Sequence, residues 1–93
     1  MRRRNRVALA LVARDGSVCW ICGFKVEKVV TAPEDLLNNS LAASLDHVVP
    51  KSAGGTRRME NLWLAHRCCN MRRGNREVTE EVRRLCRPVL AMN

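Results

Sequence analysis

The residues best suited to chemistry begin with an acid beside a histidine, Asp46-His47, followed by Val48-Val49-Pro50 and Gly54-Gly55. Asn61-Leu62 comes next, and then His66-Arg67-Cys68-Cys69-Asn70. A carboxylate, an imidazole and two amides are the side chains that metal-assisted cleavage of a phosphodiester calls for. Such cleavage needs an activated water, a cation on the non-bridging and leaving oxygens, and groups that hold the phosphate in line. Imidazole titrates near neutrality and is the natural base. One carboxylate plus one amide can hold Mg²⁺, because that ion keeps most of its waters and takes few protein ligands.

A second set of residues has the spacing of a zinc site. Cys19-x-x-Cys22 supplies two thiolates from one tight turn, with Gly23 allowing the backbone to fold back beneath an ion. His66-x-x-Cys69 repeats the two-residue gap at the opening of a helix, so Cys19, Cys22, His66 and Cys69 are the expected ligands. Cys68 is separated from His66 by a single residue, a poorer chelate turn, and is the alternative to Cys69. A lone Cys-x-x-Cys reads equally as two buried thiols or a redox pair, and it is the matching second pair that argues for metal. The long interval between the pairs means that the zinc clamps distant segments together and is structural.

Composition sets bounds on partners. The chain has 93 residues, enough for one domain but with too little buried apolar surface to dispense with a staple. Lys and Arg number 17 against 9 Asp and Glu, a net charge of +8, which calls for an anionic partner, nucleic acid first. No membrane span is expected, since the longest apolar run, Val7 to Ala13, is far below the roughly 20 residues a span requires. Arg2 to Arg6 ahead of that run imitates a secretion signal, but Arg14-Asp15 cuts it short. Five cysteines, an odd number with metal-type spacing, favour a reduced, cytoplasmic setting. No Tyr and one Phe make a base-stacking single-strand binder a poor fit.

The elements that must position these residues follow from periodicity and punctuation. Val7, Ala8, Leu11 and Val12 repeat at helical spacing, which predicts a basic amphipathic helix over 3–14 ending before Gly16. Ser17 to Phe24 forms the knuckle, and the β-branched run Val26 to Thr31 predicts a short returning strand. Asp35 to Ala43 is ambiguous between helix and loop. Strands are expected at Ser44 to Val49, stopped by Pro50, and at Leu62 to Ala65, with a Gly54-Gly55 loop between them. A helix over 67–73 ends at Gly74, and a last helix, capped by Thr79, runs from Glu80 to Cys86 with Pro88 beyond it. The fold class is therefore α+β in one domain over 1–93, with a basic N-terminal helix in 1–16, the knuckle and hairpin core in 17–74, and a C-terminal helix and tail in 75–93.

Asp46-His47-Val48-Val49-Pro50-Lys51-Ser52-x-Gly54-Gly55-Thr56, then Glu60-Asn61-Leu62, then Cys69-Asn70 with Arg72-Arg73-Gly74, resembles the HNH endonuclease family. Together with Cys19 and Cys22 the resemblance covers most of the chain. It implies a small ββα-metal nuclease fold (a His-Me finger) with structural Zn²⁺ and flanking helices, hydrolysing DNA to 5′-phosphate and 3′-hydroxyl ends. By the same resemblance His47 is the general base, Asp46 the metal-binding acid, and Asn61 the residue that pins the loop. Asn70 falls at the third family position, where many members carry histidine, so Asp46 and Asn70 would hold a catalytic Mg²⁺ or Mn²⁺. His66 is a further departure, standing where the zinc pair usually has cysteine.

Adjacent strand residues leave opposite faces, so Asp46 and His47 can work together only if the strand end twists or bulges. Double-stranded DNA is the expected partner, held through its phosphates by Arg72, Arg73 and Arg76 beyond Asn70 and by Lys51, Arg57 and Arg58 of the hairpin loop. The Arg2 to Arg6 cluster either extends this footprint or is a solvated tail. Stand-alone domains of this kind occur in bacteriophages, mobile elements and bacterial defence, which allows a place in phage DNA packaging beside a terminase and a setting in bacterial or phage-infected host cytoplasm. The alternative function is a zinc-stabilised DNA-binding protein without activity.

Overall fold

The computed structural model describes residues 1–91, with side chains through Arg87. Its centre is an antiparallel hairpin of β1 (Ala43–His47) and β2 (Leu62–His66), in which Ala43 faces His66, Asp46 faces Trp63 and His47 faces Leu62. Directly opposed residues share a face. Ser44, Asp46, Trp63 and Ala65 therefore lie on one side, and Leu45, His47, Leu62 and Leu64 on the other.

Helix α1 (Arg3–Asp15) buries Asn5, Ala8 and Leu11, which repeat every three residues along one stripe. It ends at Gly16, whose φ of 87° is the left-handed region a glycine enters without cost and whose N–H returns to the Val12 carbonyl. The Asn5 amide exchanges hydrogen bonds with the backbone of Thr31, with Nδ2 donating at 3.0 Å and Oδ1 accepting at 2.9 Å. This pull explains one departure from expectation. The run Val26 to Thr31 is not a strand but touches the rest of the protein through single bridges, Val18 to Lys25 before it and Lys28 to Ala42 within it. Its far end is held by α1 rather than by a neighbouring strand.

The ambiguous segment contains a four-residue helix, α2 (Asp35–Asn38), stabilised where Asp35 accepts the Ala32 N–H and pairs with Lys28. β1 stops two residues before the expected Val49, because the backbone beyond His47 is taken over by Asn61 and Arg73. The connecting loop carries two short 3₁₀ turns, Lys51–Ala53 and Met59–Asn61. Gly55 is required there, since a Cβ would overlap the Val49 carbonyl.

After β2 the chain enters α3 (Arg67–Arg73) directly, which gives a ββα unit, and α3 ends at Gly74. Helix α4 (Glu80–Ala91) begins at the expected Thr79, whose hydroxyl accepts the Val82 N–H, but it does not stop at Cys86. It continues through Pro88, so the backbone hydrogen bond that proline forgoes does not end the helix. Val82 and Cys86 are buried, and Arg83 and Arg87 donate to the carbonyls of Ile21 and Cys22, which fastens α4 over the knuckle. The core is continuous across these layers, with Leu11, Ile21, Val26 and Leu64 fully buried. Among the described residues, no helix is long and apolar enough to cross a membrane.

Candidate active site and metal centre

The zinc-type residues converge. Ligand atoms of Cys19, Cys22, His66 and Cys69 all lie within 4.8 Å of one another, and all four residues are buried. His66 Nδ1 is 3.5 Å from the Cys22 sulfur and 3.7 Å from that of Cys69. Two ligands of a tetrahedral zinc, with bonds of about 2.05 Å to nitrogen and 2.3 Å to sulfur, stand about 3.6 Å apart, so the cluster has the dimensions of a zinc site. The His66 Nε2–H donates to the Lys25 carbonyl at 2.9 Å, which turns the Nδ1 lone pair toward the thiols. Hydrogen bonds with Cys22 and Cys69 hold the Cys19 thiol far below its ordinary pKa, toward the thiolate that binds metal. Cys68, the alternative ligand, lies outside the cluster.

The knuckle also reaches the far face of the hairpin. Trp20, between the first two cysteines, donates its N–H to the Leu64 carbonyl and its indole Nε1–H to Asp46 Oδ2 at 2.8 Å. Arg73 of α3 places Nη1 2.9 Å from both Asp46 oxygens and stacks its guanidinium 5.1 Å from the Trp20 ring. The same side chain donates to the carbonyls of His47 at 3.1 Å and Val48 at 2.9 Å. Asp46 is 4% exposed and Arg73 3%. Burial pushes the Asp46 carboxyl above its ordinary pKa, against the opposing pull of Arg73.

Two expectations change as a result. Arg73 is no DNA-contacting cation, because its charge is buried and neutralised. Arg72 and Arg76 remain exposed, although Arg76 folds back onto carbonyls of α3. The twist that would bring Asp46 and His47 to one side is also missing: Asp46 points to α3 and Trp20, whereas His47 lines a cavity beneath α1.

Asn70 lies on the Asp46 face, where its Nδ2 donates to Ser44 Oγ at 2.8 Å. Asp46 and Asn70 thus have the donor types of a hard divalent cation, but with Arg73 in place the carboxylate has no uncompensated charge to offer. As arranged, the pair does not fit the ion.

Asn61 is buried and fastens the loop at three points. Its Oδ1 accepts the Val49 N–H at 2.8 Å, and its Nδ2 donates to the carbonyls of Val49 at 3.1 Å and Thr56 at 2.8 Å. These bonds, together with those from Arg73 to His47 and Val48, set where β1 delivers His47. The imidazole is half-buried, and its Nε2 is fully enclosed without a hydrogen-bond partner. Lys51, Arg57 and Arg58 are exposed on the loop.

Sequence reasoning missed three residues at these sites. Trp20 occupies an unconstrained position of the knuckle and carries no signal of its own. Arg3 and Arg4, which share the His47 cavity, are legible only as members of an arginine cluster. Their spacing three and four residues ahead of Val7, which lines the same cavity, is the available clue.

A family model described as HNH endonuclease matches residues 19–76, well over half of the chain. No curated protein matches it.

Proposed function

The chain belongs to the HNH endonuclease family, and from that premise we propose that it hydrolyses phosphodiester bonds of double-stranded DNA, with His47 as the general base. The observation that carries this reading is the placement of His47. It is delivered by a strand end that Asn61 and Arg73 lock in position, and its ring nitrogen has no protein partner. A buried polar atom without a partner is uncommon in a folded protein and marks a place where something binds or reacts. His47 accepts a proton from the attacking water, Asn61 keeps the loop from moving the ring, and the exposed Lys51, Arg57, Arg58, Arg72 and Arg76 hold the backbone on either side.

For Asp46 and Asn70 to hold Mg²⁺ or Mn²⁺, the Arg73 guanidinium must leave the carboxylate, so metal binding and rupture of this ion pair are one event. Mn²⁺ titration of the zinc-loaded protein tests this, with binding lost in Asp46→Asn. Plasmid nicking tests the hydrolytic reading. The zinc-loaded protein should nick supercoiled DNA with Mg²⁺ and stop when Mg²⁺ is omitted, and a folded His47→Ala protein that nicks at the wild-type rate would remove His47 from the mechanism.

The second reading, a zinc-stabilised DNA-binding protein without activity, is favoured by the saturation of Asp46 and by its divergence from His47. It predicts duplex binding with no nicking at any Mg²⁺ or Mn²⁺ concentration. Nothing in the residues described favours a terminase partner.

A further inference from the structure

The cavity that receives His47 is about 240 Å³ and is walled by three different parts of the chain. Arg3 and Arg4 come from α1, His47 from the end of β1, and Arg57 from the loop, while Val7 and Leu62 supply apolar surface between them. No acidic residue lines it. Among the described residues, the side chains of Arg3, Arg4 and Arg57 make no ion pair, and no hydrogen bond draws them elsewhere. Neighbouring arginines behave differently, for Arg2 donates to the Thr31 carbonyl and Arg14 pairs with Asp15. Three guanidinium groups around one small cavity repel one another, more strongly beside apolar walls, and an anion between them reverses the sign of that interaction. His47 lines the same cavity, and its enclosed Nε2 has no hydrogen-bond partner in the protein.

We propose that α1 completes the active site, with Arg3 and Arg4 on one wall and Arg57 on the other holding a backbone phosphate of nucleic acid against His47. Guanidinium forks match the oxygens of a phosphodiester and remain charged at any working pH, which suits a clamp that carries no sequence information. The N-terminal helix lies outside the stretch matched by the family model, so the family match does not itself assign Arg3 and Arg4 a role. The proposal rests on the hydrolytic reading for its biological sense, but its ligand can be tested without catalysis.

The chain has two histidines, and His66 is enclosed in the metal cluster, so the imidazole NMR signals of the zinc-loaded protein report on His47 separately. Titration with inorganic phosphate, and separately with a short DNA duplex in EDTA-free buffer without Mg²⁺, should shift the His47 signals and leave those of His66 in place. The Arg3→Gln, Arg4→Gln double variant should lose the shift, bind duplex about tenfold more weakly at low salt, and lower the salt slope of binding by about 1. Both arginines are exposed and unpaired, so the fold should be retained, and Arg57→Gln offers an independent wall to remove. Unmoved His47 signals, or a double variant that binds and shifts like the wild type, would overturn the proposal. A response to phosphate but not to duplex would overturn the nucleic-acid assignment in favour of a small free anion. Absence of plasmid nicking with the His47 response intact would defeat the hydrolytic reading and leave the phosphate site standing.

Discussion

The two faces of the hairpin treat charge in opposite ways. On the α3 face Asp46 is surrounded by donors, with Arg73 on both oxygens and Trp20 on one, and the carboxylate and guanidinium are both buried. On the α1 face, one residue further along the strand, His47 lines a cavity with Arg3, Arg4 and Arg57, and its enclosed Nε2 has no partner. Removing one partner of a buried charge pair strands the other, so the first face is built to be kept. Uncompensated charge beside an open cavity adds little to folding and becomes useful when a ligand arrives. Two residues adjacent in sequence thus sit in opposite electrostatic settings.

The largest expected effect erases both faces together. Chelating the zinc, or replacing Cys19 with Ser, should unfold the protein. Structural zinc sites are worth on the order of 10 kcal/mol, as much as the entire stability of a small domain. Circular dichroism of chelator-treated protein checks this, and a native-like spectrum without zinc would contradict it.

A sharper separation comes from His47→Ala, which should lower cleavage about 10² to 10⁴-fold while leaving the urea midpoint unchanged. Arg73→Gln should do the reverse. It leaves the buried Asp46 charge uncompensated and should cost about 3–5 kcal/mol of stability, read from urea denaturation at saturating zinc. Combining it with Asp46→Asn should recover part of that loss, because the stranded charge is gone. Equal destabilisation by His47→Ala and Arg73→Gln would break the division between the faces.

Two smaller changes refine it. Asn61→Ala removes three hydrogen bonds at the loop and should cost about 1–3 kcal/mol together with a fall in cleavage, since the loop that places His47 is loosened. Arg57→Gln should move stability by less than about 0.5 kcal/mol, in contrast to Arg73, and should act on DNA affinity instead.

Much of the arrangement is legible in the chain itself. Cys-x-x-Cys and His-x-x-Cys encode their geometry locally, because a two-residue gap in a tight turn leaves few ways to place two ligands. Helix α3 is legible from a polar, helix-tolerant run closed by Gly74, and the loop role of Asn61 from its place in the motif. The end of α4 departs from expectation because proline is a local penalty that a helix packed over the knuckle can absorb. The strand expected over Val26 to Thr31 fails for a similar reason: β-branched residues favour extended backbone, but only a neighbouring strand makes them a sheet, and Asn5 of α1 takes that backbone instead.

By itself, then, the sequence determined the inventory: a metal cluster, a hairpin with an acid and a histidine at its end, a pinned loop and a large excess of arginine. Those features depend on residue type and short spacing, which are properties of the chain. Only the tertiary structure decided which arginine meets which group. Arg73 and Asp46 are brought together by the docking of α3 on one face, and Arg3, Arg4 and Arg57 meet His47 through the docking of α1 on the other. A charge acquires its role from its neighbours, and these neighbours are distant in sequence.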